Sequence, residues 1–180
     1  MTINTLLVVL TLLMPMLASC QDKVVKTTGV SMTGIDHLTE HLSIQDFWVN
    51  DRAGQQAGKG GSQVCCAMIP QVWQPGFTVN VKWGVTNWKR RVFSMYEKQV
   101  TVEHCKEAYP GSLWVHFLAN GEVRAVSCDI GPGFYEKNVE YPGPQPLSDL
   151  PKKKPWTDYK RKPGEPEFTE VKNAMEDDKK

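Results

Sequence analysis

The chain has 180 residues, 41% of them hydrophobic and 23% charged, with 21 Lys+Arg against 20 Asp+Glu and a formal net charge of +1. That length fits one ordinary domain. The balanced charge argues against a nucleic-acid binder, which carries a basic excess or stripe, and the apolar content with six Trp excludes collagen-like and globally disordered classes.

Leu6 to Met14 is an apolar run too short for a spanning helix and suited to the core of a signal peptide. Nothing after it is long and apolar enough to predict a spanning helix. The run ends in Leu17-Ala18-Ser19-Cys20, which resembles the lipobox of bacterial lipoproteins. The resemblance implies cleavage before Cys20, removal of residues 1–19 and acylation of the Cys20 thiol and amine. Three acyl chains, at about 0.8 kcal/mol per buried methylene, make such an anchor effectively permanent. Gln21 in place of Asp implies passage to the outer membrane, facing the periplasm. A secretory signal with a coincidental Cys, or an N-terminal helix, is the weaker reading. One departure is that residues 1–5 hold no Lys or Arg.

Residues 20–28 read as a lipidated tether. Four further cysteines, Cys65, Cys66, Cys105 and Cys128, are disulfide candidates in an oxidising compartment, with three possible pairings. A vicinal pair such as Cys65-Cys66 seldom bonds to itself, because the peptide between must distort; on a strand the two side chains point to opposite faces. A zinc site lacks any C-x₂-C spacing, and no metal or cofactor is expected.

From residue 29 to about 131 the dominant period is two. Weaker strands are expected at 29–35, 42–50, 63–69 and 91–103. The clearest covers 77–85, where Phe77, Val79, Val81, Trp83 and Val85 share one face and Thr78, Asn80 and Lys82 the other. Two apolar-rich runs, 113–119 and 122–128, flank Asn120-Gly121, which predicts a two-residue type I′ hairpin pairing Phe117 with Arg124 and Leu113 with Cys128. Both faces of that hairpin are bulky, which places it centrally in a sheet. Turn-rich segments, notably residues 50–62, separate the strands. Six or seven short antiparallel strands predict an all-β fold, a β-sandwich or small barrel, of which an antiparallel β-sandwich of immunoglobulin-like or similar type is the preferred reading. Residues 132–150 form a Pro-rich arm, since eight of the twelve prolines lie from Pro132 onward. Residues 151–180, with nine positive and seven negative charges and almost no apolar periodicity, are expected to be a disordered tail on which Trp156, Tyr159 and Phe168 offer docking groups.

Three motifs bear on chemistry. His37-Leu-Thr-Glu40-His41 has the inverted zinc-peptidase spacing, but it needs a helix and a later acidic ligand that the β-like surroundings do not offer; two histidines in a polar loop is the better account. Residues 54–62 fall one short of a phosphate-loop spacing and read as a flexible loop. Trp88-Lys89-Arg90-Arg91 is a basic-aromatic cluster, either a solvated turn or a contact patch. No nucleophile elbow or Ser/His/Asp set can be nominated, and the chain is not expected to be an enzyme.

Gly61-Ser-Gln-Val-Cys65-Cys66-Ala-Met-Ile-Pro70-Gln-Val-Trp73-Gln-Pro75-Gly76, with the alternating Val79-Asn-Val81-Lys-Trp83 strand, resembles a family of uncharacterised bacterial lipoproteins. Residues 111–126 resemble its second block, and the likeness covers about residues 27–145. Genes of that family often lie beside type VI secretion effectors, especially phospholipases. The implied role is therefore immunity, with the effector protein and the membrane as partners and no nucleic acid. Partner contacts are expected at Asp51, Arg52 and Lys59, at Trp88, Lys89, Arg90 and Arg91, and on the arm at Phe134, Tyr135 and Tyr141. A structural or assembly lipoprotein of the envelope is the alternative function. A periplasmic hydrolase using the His37–His41 motif ranks below both.

Overall fold

The computed structural model describes residues 24–58, 63–134, 136–137, 139–144, 151–152, 163–164 and 168–176. The signal segment with Cys20, and also Lys59 and Tyr135, lie outside the described residues. No helix occurs among the described residues, and the domain is all-β. Nine strands lie among the described residues, in chain order β1 (Thr27–Asp36), β2 (Leu42–Val49), β3 (Arg52–Gln55), β4 (Val64–Pro70), β5 (Thr78–Asn87), β6 (Val92–His104), β7 (Ser112–Phe117), β8 (Val123–Cys128) and β9 (Thr169–Glu170).

They form one sheet in the order β3-β2-β5-β6-β8-β7-β1-β4, with β9 alongside β6. The long strand β6 turns this path around. Its first ten residues pair with β5 from Asn87–Val92 to Thr78–Thr101, and its last three pair with β8. The sheet then curls until its ends nearly meet. Beyond β3, Ala57 N–H donates to Ile44 O (3.2 Å), Gly58 N–H to Gly34 O (3.1 Å) and Asp36 N–H to Gly58 O (2.9 Å), so this segment spans from β2 to β1. Phe47 fills the seam, and a Cβ at either Gly34 or Gly54 would collide with its ring.

The alternation in β5 decides which face is inside. Val79, Val81, Trp83 and Val85 are buried, while Asn80 and Lys82 are exposed. Together with Met32, Ile44, Phe47, Leu113, Val115 and Phe117 they form the main core. Each such side chain contributes roughly 1.5–3 kcal/mol by leaving water. The hairpin of β7 and β8 is central, as its two apolar faces require, because a second cluster covers its other side.

Several sequence expectations need correction. The pairing is mixed: β1–β7 and β6–β8 run parallel, which the antiparallel reading did not foresee. The β7–β8 register is shifted by one, pairing Phe117 with Val123 and Ser112 with Cys128. Leu118 N–H donates to Glu122 O (2.8 Å) and Gly121 N–H to Leu118 O (2.9 Å), with φ of 83° at Gly121. This is a three-residue loop whose last position is left-handed, and glycine fills it without a Cβ penalty. The turn-rich stretch after Asn50 contains β3.

The expected disorder does not hold for residues 168–176, while Trp156 and Tyr159 lie outside the described residues. Residues 168–176 lie beside β6, and Ala174 is fully buried. Asn87 Nδ2 donates to Ala174 O (3.0 Å), and Ala174 N–H donates to Ser94 Oγ (2.8 Å). Val171 and Met175 pack against the main core, beside the first residues of β6, on the side of β6 that β8 joins only from Val102 onward. The charge count hid this docking because a single buried Ala carries no periodicity.

Candidate partner-binding surface

The Pro-rich arm leaves β8 at Ile130 and folds back over the outer side of the β7–β8 hairpin. It begins with a tight turn in which Phe134 N–H donates to Gly131 O (3.2 Å). Pro132 and Gly133 are its central residues and Gly133 has φ of 83°, the sequence chemistry of a type II turn. Gly131 lies on the indole of Trp114, where a Cβ would come within 2.6 Å of the ring. Trp114 Nε1–H donates to Cys128 O (3.0 Å). The turn thus rests on a fixed base while the Phe134 side chain projects, 69% exposed.

Tyr141 anchors the other end of the arm. It is buried with Ile35, Trp114, Val126 and the Cys105–Cys128 pair. Its hydroxyl meets His116 Nε2 at 2.5 Å, and His116 Nδ1 meets His37 Nε2 at 2.9 Å. Burial, aided by His37 and Arg124, pushes the His116 pKa down to about 3, so the imidazole is neutral at ordinary pH. Burial raises the Tyr141 pKa, with Glu103 adding to the effect and Arg124 opposing it. A neutral phenol donating into Nε2 leaves the Nδ1–H of His116 to donate to His37. Next to this chain, Arg124 forms a forked pair with Glu103 (2.8 and 2.6 Å) and donates to Pro142 O (2.7 Å). The hydrogen bond to Glu103 raises the Arg124 pKa, keeping it cationic.

Between the arm and the end of β6 lies an open cleft of about 540 Å³. His104, Lys106 and Glu107 line one wall; Glu136, Val139 and Glu140 line the arm side. Trp73 stacks on His104 at 3.9 Å between centroids, and Tyr109 meets both rings edge-on. Sequence reasoning found the arm but missed the opposite wall. A strand ending in His-Cys-Lys-Glu was a signal only in retrospect, since it takes the buried Cys105 to fix where the flanking charges emerge.

The expected contact residues have different fates. Phe134 is exposed, whereas Tyr141 is 6% exposed and serves as an anchor, so it is withdrawn as a contact. Asp51 and Arg52 are exposed at the β2–β3 turn, where Asn50 and Asp51 both have positive φ. The basic-aromatic cluster faces inward on the chain itself. Trp88 Nε1 donates to Ser43 Oγ (2.7 Å), Arg90 donates to Glu176 O (2.5 Å), and Trp88 and Arg91 both pack on Phe168. Lys89 alone of the four is exposed. The cluster thus holds the C-terminal segment.

The cysteines pair as Cys105–Cys128 and Cys65–Cys66. The first joins the ends of β6 and β8, with Cα atoms 5.2 Å apart. The second is the vicinal bond that chain geometry disfavours; it forms across a cis peptide, with the two Cα atoms 3.0 Å apart. His37 and His41 sit in the non-helical link between β1 and β2, where His37 is turned to His116. Among the described residues no group of three or more His, Cys, Asp or Glu side chains is arranged to hold a metal ion.

The fold is thus an all-β domain with an arm clamped across its central hairpin. Residues 37–125 match a family described as "Protein of unknown function (DUF3304)". This similarity spans just under half of the chain, from the link after β1 into β8, and takes in the Cys65-Cys66 segment and β5. No curated protein and no solved structure matches the chain.

Proposed function

We propose that this chain is a lipid-anchored outer-membrane lipoprotein facing the periplasm, which binds and sterically inhibits a type VI secretion effector of the phospholipase class. The sequence resemblance supplies the partner, and the observation that carries a binding role is the mounting of Phe134. An exposed aromatic ring stands on a Pro-Gly turn whose base is packed on Trp114, on the same arm that lines an open cleft further along at Glu136, Val139 and Glu140. Pre-ordering the turn reduces the entropy lost on association, and aromatic anchors of this type dominate interface energetics. On this reading the curled sheet is an immunoglobulin-like sandwich in which β6 serves both layers, and the arm covers the effector's catalytic cleft. Anchoring at the membrane under attack raises the local concentration of inhibitor.

The test is periplasmic coexpression with a phospholipase effector of the type VI class. The wild-type chain restores growth and co-purifies with the effector. Phe134→Ala weakens the complex by about 2–4 kcal/mol, roughly 30- to 1000-fold, without lowering thermal stability. Failure of the wild-type chain to rescue growth or form the complex rejects the proposal. An envelope defect on deletion, with no effector present, supports the assembly-lipoprotein alternative instead.

A further inference from the structure

The point where the chain enters the sheet carries an apolar patch that neither the core nor the arm covers. Val24 is 91% and Val72 72% exposed, and Val25 and Met68 are also exposed. They belong to one place. β1 and β4 pair Thr27 with Pro70 and Gly29 with Met68, and Gln71 N–H donates to Lys26 O (2.8 Å). Continued by two residues, the same register sets Val25 beside Val72. Gly29 adds no side chain to this face; Cys66 Sγ and Met68 Sδ lie over it, 3.4 and 3.7 Å from where a Cβ would stand. The patch is thus mainly valine methyls and sulfur atoms, with exposed Thr27 among them and exposed Lys26 beside them.

We infer that this patch rests on the lipid bilayer and sets the orientation of the domain. The inference depends on acylation of Cys20, and the argument is the length of the tether. Three residues lie between Cys20 and Val24, and the four steps of a fully extended chain cover only about 14 Å. An acylated Cys20 therefore holds Val24 within about 14 Å of the membrane surface, with Val25 and Val72 next to it and Met68 about 13 Å further along β4. Valine and thioether groups gain by entering the headgroup boundary, and Lys26 suits anionic headgroups. The opposite end of the domain then faces away. β1 runs parallel to β7, so the Leu118–Glu122 loop lies beyond the far end of β1, about 30 Å from Thr27 at the rise of a strand.

The experiment places the photocrosslinker p-benzoylphenylalanine at Val72 or at Asn120 in the full chain, expressed in cells fed labelled palmitate. Palmitate on the wild-type chain, lost in Cys20→Ala, establishes the anchor independently. With the anchor present, lipid adducts form at Val72 and are lost at Asn120. Equal adducts at both positions, or none at Val72, overturn the orientation while leaving the anchor intact. A protein adduct at Val72 also overturns it, by assigning the patch to a partner. No palmitate at Cys20 overturns the anchor and this inference together.

Discussion

Tyr141→Phe removes one oxygen atom and tests whether the arm is held by the buried histidine chain. The phenol of Tyr141 is the hydrogen-bond partner of His116 Nε2 at 2.5 Å, and His116 is fully buried, so no water replaces the lost partner. A buried polar atom stripped of its partner costs about 1–3 kcal/mol. The phenylalanine ring keeps the packing on Ile35, Trp114 and Val126, so the loss comes from the hydrogen bond alone. Tyr141→Ala adds loss of that packing, for a total of about 3–5 kcal/mol. Urea unfolding read by tryptophan fluorescence measures both. Hydrogen exchange measures where the effect falls: amides of residues 131–144 lose protection before those of β5. If Tyr141→Phe shifts stability by less than about 0.5 kcal/mol and arm protection is unchanged, the histidine chain does not hold the arm.

The remaining predictions concern the same elements. His116 has a folded pKa of about 3 against about 6.5 unfolded. Its stabilising contribution is complete above pH 6.5 and falls as the pH drops toward 3, by about 1.4 kcal/mol per unit. Ring nitrogen NMR shifts should report a neutral His116 at pH 5, and an imidazolium there refutes the assignment. Removing the Cys105–Cys128 bond by paired Ala substitution frees a loop with sequence separation 23 and costs about 3 kcal/mol in denaturation experiments; an unchanged midpoint contradicts it. Gly54→Ala drives a methyl into Phe47 and costs about 1–3 kcal/mol, whereas Gly58→Ala, with open space around it, leaves the melting temperature nearly unchanged. Deleting residues 168–180 strips partners from Asn87 and Ser94 and uncovers core side chains, with an expected loss of about 2–4 kcal/mol; a tail that contributed nothing would leave stability unaltered.

The strands were legible where one face is wet. In β5 the alternation of Val79, Val81, Trp83 and Val85 with polar neighbours gives both the element and its inner face. In β7 and β8 both faces are covered, so the pattern revealed a central hairpin without its register; Gly121 in the left-handed position set that instead. The parallel pairs β1–β7 and β6–β8 join segments about 80 and 20 residues apart and leave no local mark. The arm was legible as Pro-Gly chemistry with aromatic residues. Which ring is anchor and which is free depended on His116, a polar residue in an apolar strand whose partner is supplied from outside the hairpin. Trp88 and Arg91 were singled out for their types, and their types do serve contact, but with Phe168 of the same chain.

The central proposal is that this domain works by masking another molecule, and a titration of the purified protein into a type VI phospholipase effector tests it most directly. Phospholipase activity on vesicles should fall to zero at a fixed molar ratio, with Phe134→Ala requiring a large excess for the same effect. Full effector activity under a saturating excess of the protein would contradict the account.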